Sequence, residues 1–501
     1  VRGRRDGVRP TRRRFIAAAT TAAVVVPLGA CVFGGDLRVV VVGDAPASTV
    51  VPDGDPARTA LALSSTLFSS AEGVVIATED TADALAAVSS RSGLPLLIGT
   101  DQAVADELER LGADTIVTAQ GTDVSAFGDD VDVREIDPAD AEADVPEARR
   151  TDDATPVSLF VDPEQGGPAQ AVARAEVEAS GGTVREMPGG APGRSSDTVA
   201  ATKEAAGSDP SVGVLALGAT FGPAEQWTST LHTALTAPEL PGGGTTVFPG
   251  RRMIAAYGSP GVPSLGILGE QDLEESIDAV QDLADDYAGL TDDGVIPAFE
   301  IISTLASSEP GADGDYSTEL DPEALREWVD AAGEAGVYVV LDLQPGTSDF
   351  LSQAKHYEDL LTRPHVGLAL DAEWRLLPGQ KHLEQIGSVS AEEVNETATW
   401  LADLTAENGL PQKVLILHQF SLSMITDRQD IDTSRPELAI TVHADGHGTP
   451  DSKLETWNAL RHDLPDGIFM AWKNFYDEDT PTFTPEQTYE VEPRPWFVSY
   501  Q

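Results

Sequence analysis

The sequence predicts an α/β protein in which N-terminal Rossmann-like parallel-sheet modules precede a (β/α)8 TIM-like barrel. Three observations carry that expectation. Short, continuously apolar strands alternate with alanine-rich helical stretches between residues 36 and 249, as parallel sheets covered on both faces require. A glycine- and proline-rich break, PELPGGGTTVFPG, occupies 238–250. After it, eight apolar strands recur, most of them separated by helix-length segments, and eight β/α repeats in about 250 residues match a closed barrel.

The N-terminal segment reads as a targeting sequence. Seven arginines precede the apolar run FIAAATTAAVVVPLGA, residues 15–30. A charged stretch followed by a short apolar one, ending in small residues, is the pattern of an export signal. Sixteen residues rising about 1.5 Å each fall short of a bilayer core of about 30 Å, which disfavours a permanent span. The text TRRRF resembles a twin-arginine export signal, and Leu28-Gly29-Ala30-Cys31 resembles a bacterial lipobox. Those resemblances imply a signal peptide over 1–30, a lipid on Cys31, and a chain held on the outer face of the membrane. Cys31 is the only cysteine, so the mature chain forms no internal disulfide.

The whole chain has 32 basic and 83 acidic residues. Removing seven arginines and Asp6 with the signal leaves 25 against 82, a net charge of −57. That balance favours solubility and excludes a nucleic-acid partner.

Between the signal and the break, strands are expected at 37–43, 73–78, 94–99, 114–119, 156–161 and 212–218. The acidic stretch 123–155 lacks apolar periodicity and reads as a linker or long surface loop. It separates a module at 36–130 from a second at 150–249. Within the first, Asp55, Arg58 and Thr59 open a helix, and an Asp83-Ala84-Leu85 turn follows an apolar strand. Pro95-Leu96-Leu97 forms a strand, and Leu111-Gly112-Ala113 turns into the last one. In order and spacing, these features resemble the cell wall-binding repeat 2 family over about 70 residues. The resemblance implies binding to an anionic polymer of the cell envelope. That family carries three tandem copies, whereas one is clear here and 150–249 reads as a divergent second. No G-x-G-x-x-G follows the strand at 37–43, so no dinucleotide cofactor is expected.

The barrel strands are expected at 252–258, 296–303, 337–344, 366–374, 413–420, 437–445, 467–475 and 496–500. Helical periodicity is plain at 272–290 and 322–336 and weak between strands five and six and between seven and eight. Reactive groups of such barrels sit at the C-terminal ends of the strands. There the sequence places Tyr257, Glu300, Asp342, Gln344, Asp371, Glu373, Trp374, His418, His443, Asp445, Trp472, Asn474 and Tyr500. Residues two apart on a strand share a face, which pairs Asp342 with Gln344, Asp371 with Glu373, and His443 with Asp445.

The segment VGLALDAEW, 366–374, resembles the fourth-strand signature of family 18 glycoside hydrolases and the D-x-E strand of family 25 lysozymes. The resemblance implies Glu373 as general acid and Asp371 as the residue that tunes it. The chain departs from family 18 at Val366 and Ala369, and from family 25 at Ala255-Ala256-Tyr257. Asp342, Glu300 or a substrate amide is expected to supply the second function across the scissile bond. Tyr257, Gln344, Trp374, His418, His443, Asp445, Trp472, Asn474 and Tyr500 are the expected sugar contacts. A non-catalytic polymer-binding or scaffold barrel is the alternative. HADGHG, with His443, Asp445 and His447, offers cation ligands together with His418, but no metal or cofactor is assigned. The expected partners are an envelope polysaccharide or peptidoglycan, and the membrane through the lipid.

Overall fold

The computed structural model describes residues 36–140, 145–150, 156–207 and 209–501. The expected signal and Cys31 lie outside them. No helix among the described residues is long and apolar enough to cross a membrane.

The first region is two α/β units whose strands interleave. One parallel sheet has the order Leu96–Ile98, Gly73–Ala77, Thr115–Ala119, Asp132–Ile136. The other has the order Thr183–Glu186, Ser158–Val161, Val214–Leu217, Thr49–Val51. Its last strand comes from the segment that precedes the first sheet. Conversely, Ala148–Arg150 pairs in parallel with Leu37–Val41. The units therefore share one apolar core, in which Val39, Leu63 and Leu85 meet Val172, Val177 and Leu215. Two self-contained modules strung on a linker would not exchange strands in this way.

The repeat-like segment forms much as its text suggests. Asp55 caps the helix Pro56–Leu67, accepting from the backbone of Ala57 and Arg58, a polar start that satisfies otherwise orphaned N–H groups. Gly112 ends the helix Gln102–Leu111 with φ of 72°, a left-handed conformation that glycine adopts at low cost. Asp83-Ala84-Leu85 lies inside the helix Ala82–Ser92 and is not a turn.

The second region is a closed, all-parallel barrel of eight strands: Arg251–Gly258, Gly294–Ala306, Tyr338–Leu343, Val366–Asp371, Lys413–Gln419, Leu438–Ala444, Phe469–Asn474 and Phe497–Tyr500. The first strand pairs with both the second and the eighth, which closes the ring. Outward residues such as Ile254, Phe299, Leu341, Leu368, Leu417 and Val442 pack under the helices. Inward residues Met253, Ala255, Ala298, Val340, Ala369, Ile416, Ala439 and Ala471 fill the lower barrel.

Helices follow most strands, including Leu273–Ala288, Pro322–Glu334, Ala391–Glu407 and Pro450–Arg461. Between strands five and six there is no α-helix, only single 3₁₀ turns at Leu422–Met424 and Arg428–Asp430 and the two-residue strand Ile425–Thr426. Buried Arg428 covers this gap by donating to the carbonyls of Leu460 and His462, each at 2.8 Å. Between strands seven and eight stands one short helix, Pro485–Tyr489. The weak periodicity at both places reflects these real interruptions. The second α/β unit docks at the N-terminal end of the barrel, where Asp293 pairs with Arg194 at 3.1 Å and Arg252 at 2.9 Å. The C-terminal end faces away from that contact.

Candidate active site

Above the apolar filling, the next inward residue of each strand changes character. Tyr257, Glu300, Asp342, Asp371, His418, His443, Lys473 and Ser499 form one ring, each at most 3% exposed. Their position follows from strand parity: seven of the eight stand two residues beyond an inward apolar neighbour, such as Ala298 before Glu300 or Ile416 before His418, and His443 follows buried Thr441.

The ring is densely paired. His418 Nε2 lies 2.9 Å from Glu300 Oε1, and its Nδ1 lies 2.9 Å from Asp445 Oδ2. Tyr257 donates its hydroxyl to Asp342 Oδ2 at 2.9 Å. Ser499 Oγ is 3.2 Å from His443 Nε2. Lys473 Nζ sits 3.2 Å from Asp445 Oδ1 and 3.5 Å above the Tyr257 ring. Such contacts offset the large cost of removing charges from water.

Over the ring opens a cavity of about 410 Å3, lined by Tyr257, Gln344, Asp371, Glu373, Trp374, Asp445 and Lys473. Phe420, Phe475 and Leu265 add apolar wall. Gln344 is fixed there because its Oε1 accepts from the backbone of Ala306 at 3.0 Å. The loop carrying Phe475 is pinned by Asp479, which accepts from the backbone of Phe475 and Gly448 and pairs with buried Lys453 at 2.8 Å.

Strand four ends at Asp371, and Glu373 occupies a single 3₁₀ turn, Ala372–Trp374. The expected sharing of one strand face by these two residues is thus corrected. They remain neighbours because Asp371 Oδ1 accepts from the backbone N–H of Glu373 at 3.1 Å. The turn lifts Glu373 to the cavity rim, where it is only partly buried.

The carboxyls differ in acidity for physical reasons. Burial, reinforced by the charge of Asp445, pushes Glu373 up to about 7. Burial and the charges of Asp342, Asp445 and Glu373 raise Asp371 well above the ordinary carboxylate range. Burial opposes the charge of Asp445, but Lys473 and His418 override it and hold Asp445 well below its ordinary value. The cavity therefore presents a protonatable glutamate beside an ionised aspartate.

Several expected contacts lie elsewhere. Glu300, Asp342, His418 and His443 are fully buried beneath the floor and do not line the cavity. Trp472, Asn474 and Tyr500 have the outward parity. Trp472 packs on Trp457 and Phe483 and donates to Asn474 Oδ1 at 2.8 Å. Asn474 in turn bonds Thr488, and Tyr500 shares a 2.6 Å hydrogen bond with Tyr287. Their assignment as sugar contacts is corrected: they hold helices to the outside of the barrel. The residue missed between them is Lys473. Lys473 keeps phase with the inward residues Phe469 and Ala471, and Ser499 with Phe497, once barrel closure has set which phase faces inward.

No family model and no curated protein matches this chain. The site therefore rests on its own geometry, since a barrel fold by itself specifies no chemistry.

Proposed function

We propose that this chain is an exported, lipid-anchored envelope protein whose barrel binds a glycan and hydrolyses a glycosidic bond. Glu373 is the general acid. The observation that carries the reading is its carboxyl on the rim of the cavity at the barrel mouth, pushed up to about 7 by burial. A glycosidase needs one protonated and one ionised carboxyl about the scissile bond. Glu373 supplies the first. Asp445, ion-paired with Lys473, is the ionised partner. Glu300 and Asp342, beneath the floor, are too deep for either part. Trp374 offers an aromatic face for a sugar ring at the same rim. The repeat-like region would hold the protein to an envelope polymer, and the lipid on Cys31 would hold it to the membrane.

The test is a hydrolysis screen on muropeptides and envelope glycans with the parent and Glu373→Gln. Loss of a positioned general acid lowers the rate by about 10²–10⁴-fold. The acid must be protonated to act, so the parent rate should fall tenfold per pH unit above about 7. Equal product from both proteins would remove Glu373 as the acid. Binding without turnover by the parent would establish the scaffold alternative. For the anchor, Cys31→Ala should move the chain from the membrane fraction to the medium; membrane retention would overturn it.

A further inference from the structure

Beneath the cavity floor, the ring leaves three buried atoms without a hydrogen-bond partner: Glu300 Oε2, Asp342 Oδ1 and His443 Nδ1. All three residues are 0% exposed. Leaving a buried polar atom unpaired is costly, more so when it is charged, so three in one ring require an explanation. They belong to one cluster: His443 Nδ1 lies 3.9 Å from Glu300 Oε1, and Asp342 Oδ1 lies 3.9 Å from His418 Nε2, the two atoms that bond each other at 2.9 Å. Glu300, His418 and His443 each offer a ligand atom within 4.8 Å of the others.

We infer that this point binds one divalent first-row transition ion, held by Glu300, His418 and His443, with Asp342 as a fourth donor. Ligand atoms about 2.1 Å from one ion stand about 3.0 Å apart at a right angle and about 4.2 Å apart across it. The separations of 2.9, 3.9 and 3.9 Å span that range. Two imidazoles with carboxylates select zinc, manganese or iron over calcium.

The remaining atoms of these residues are already oriented. Asp445 holds His418 through Nδ1, Ser499 meets His443 at Nε2, and Tyr257 donates to the other oxygen of Asp342. Metal ligands are characteristically held by such outer contacts. The competing arrangement is a proton on His418 bridging Glu300 and Asp445. It serves those two bonds and leaves all three orphaned atoms as they are.

The ion lies below the cavity, capped by Tyr257, Asp371, Asp445 and Lys473, with the apolar layer of Ala298, Val340 and Ile416 underneath. Its place is that of a buried strut joining strands two, three, five and six. This inference does not depend on glycan turnover.

The full chain is stripped with chelator at mildly acidic pH and dialysed against Zn2+ or Co2+. The expected result is one tightly held equivalent per chain, a melting temperature raised by several degrees, and a Co2+ absorption spectrum of imidazole ligation. His443→Ala and Glu300→Gln should each lower the bound metal at least tenfold, while Glu373→Gln keeps it. Because the first two variants can misfold, Zn2+ is also located in crystals of the parent by anomalous scattering. A peak between Glu300, His418 and His443 supports the site. A peak elsewhere, or no stoichiometric metal in the parent, overturns it and leaves the protonated His418.

Discussion

The lower and upper layers of the barrel interior are built by the same strands, one inward step apart on all but strand six, where Thr441 stands between Ala439 and His443. Below, Met253, Ala255, Ala298, Val340, Ala369, Ile416, Ala439 and Ala471 form a dry, apolar filling. Above, the ring from Tyr257 to Ser499 holds four acidic or basic side chains together with two histidines, a tyrosine and a serine, all buried. Both layers are equally shielded from water, yet they are stabilised by opposite means. The lower one needs only shape. The upper one needs each charge matched by a partner, because an unpaired buried ion costs several kcal/mol. A fold gains no stability from such a layer over well-packed hydrocarbon. The upper layer is concentrated at the C-terminal end, directly beneath the cavity.

Breaking one partner in each layer measures the contrast. Lys473→Met should cost about 3–5 kcal/mol in chemical denaturation, since it leaves Asp445 buried without its ammonium. A loss under 1 kcal/mol would mean that the ring tolerates missing charges and is looser than its geometry implies. Ile416→Ala, one step below His418, should cost about 2–5 kcal/mol through the cavity it leaves. Its effect should be insensitive to pH, whereas that of Lys473→Met should not be. Equal pH dependence of the two would erase the distinction between layers. The smallest effect tests the outward face. Tyr500→Phe removes a 2.6 Å hydrogen bond to Tyr287 and should cost about 1 kcal/mol with glycan hydrolysis unchanged. A large loss of turnover would return Tyr500 to the site.

The N-terminal region makes a second contrast. Its core is apolar apart from groups such as Glu176, whose Oε1 accepts from the backbone of Leu96 at 2.7 Å across the two units. Burial raises its carboxyl well above the ordinary range. Here a buried acid fastens packing. In the barrel ring, buried acids are gathered at the cavity floor.

Much of this was legible in the text. The eight barrel strands were expected close to where they stand, because each is a short apolar run bounded by polar or turn residues. Asp371, Glu373, Asp445, Gln344, Tyr257 and Trp374 were placed at the mouth because strand ends are visible as the point where apolar residues give way. Lys473 was hidden by its showier neighbours Trp472 and Asn474, which alternate to the opposite face. The turn that carries Glu373 was read as three more strand residues.

What the sequence alone determines is the period: apolar runs, helical stripes, their number, and the side-chain alternation along each strand. Those are local properties of covalent geometry and burial preference. It does not determine which of two alternating faces turns inward, because both faces of these strands are apolar for most of their length. Nor does it place Thr49–Val51 in the sheet built around Ser158–Val161, or separate the rim from the sealed ring below it. Those choices belong to closure and packing, where residues more than a hundred positions apart, such as Glu300 and His418, meet at 2.9 Å.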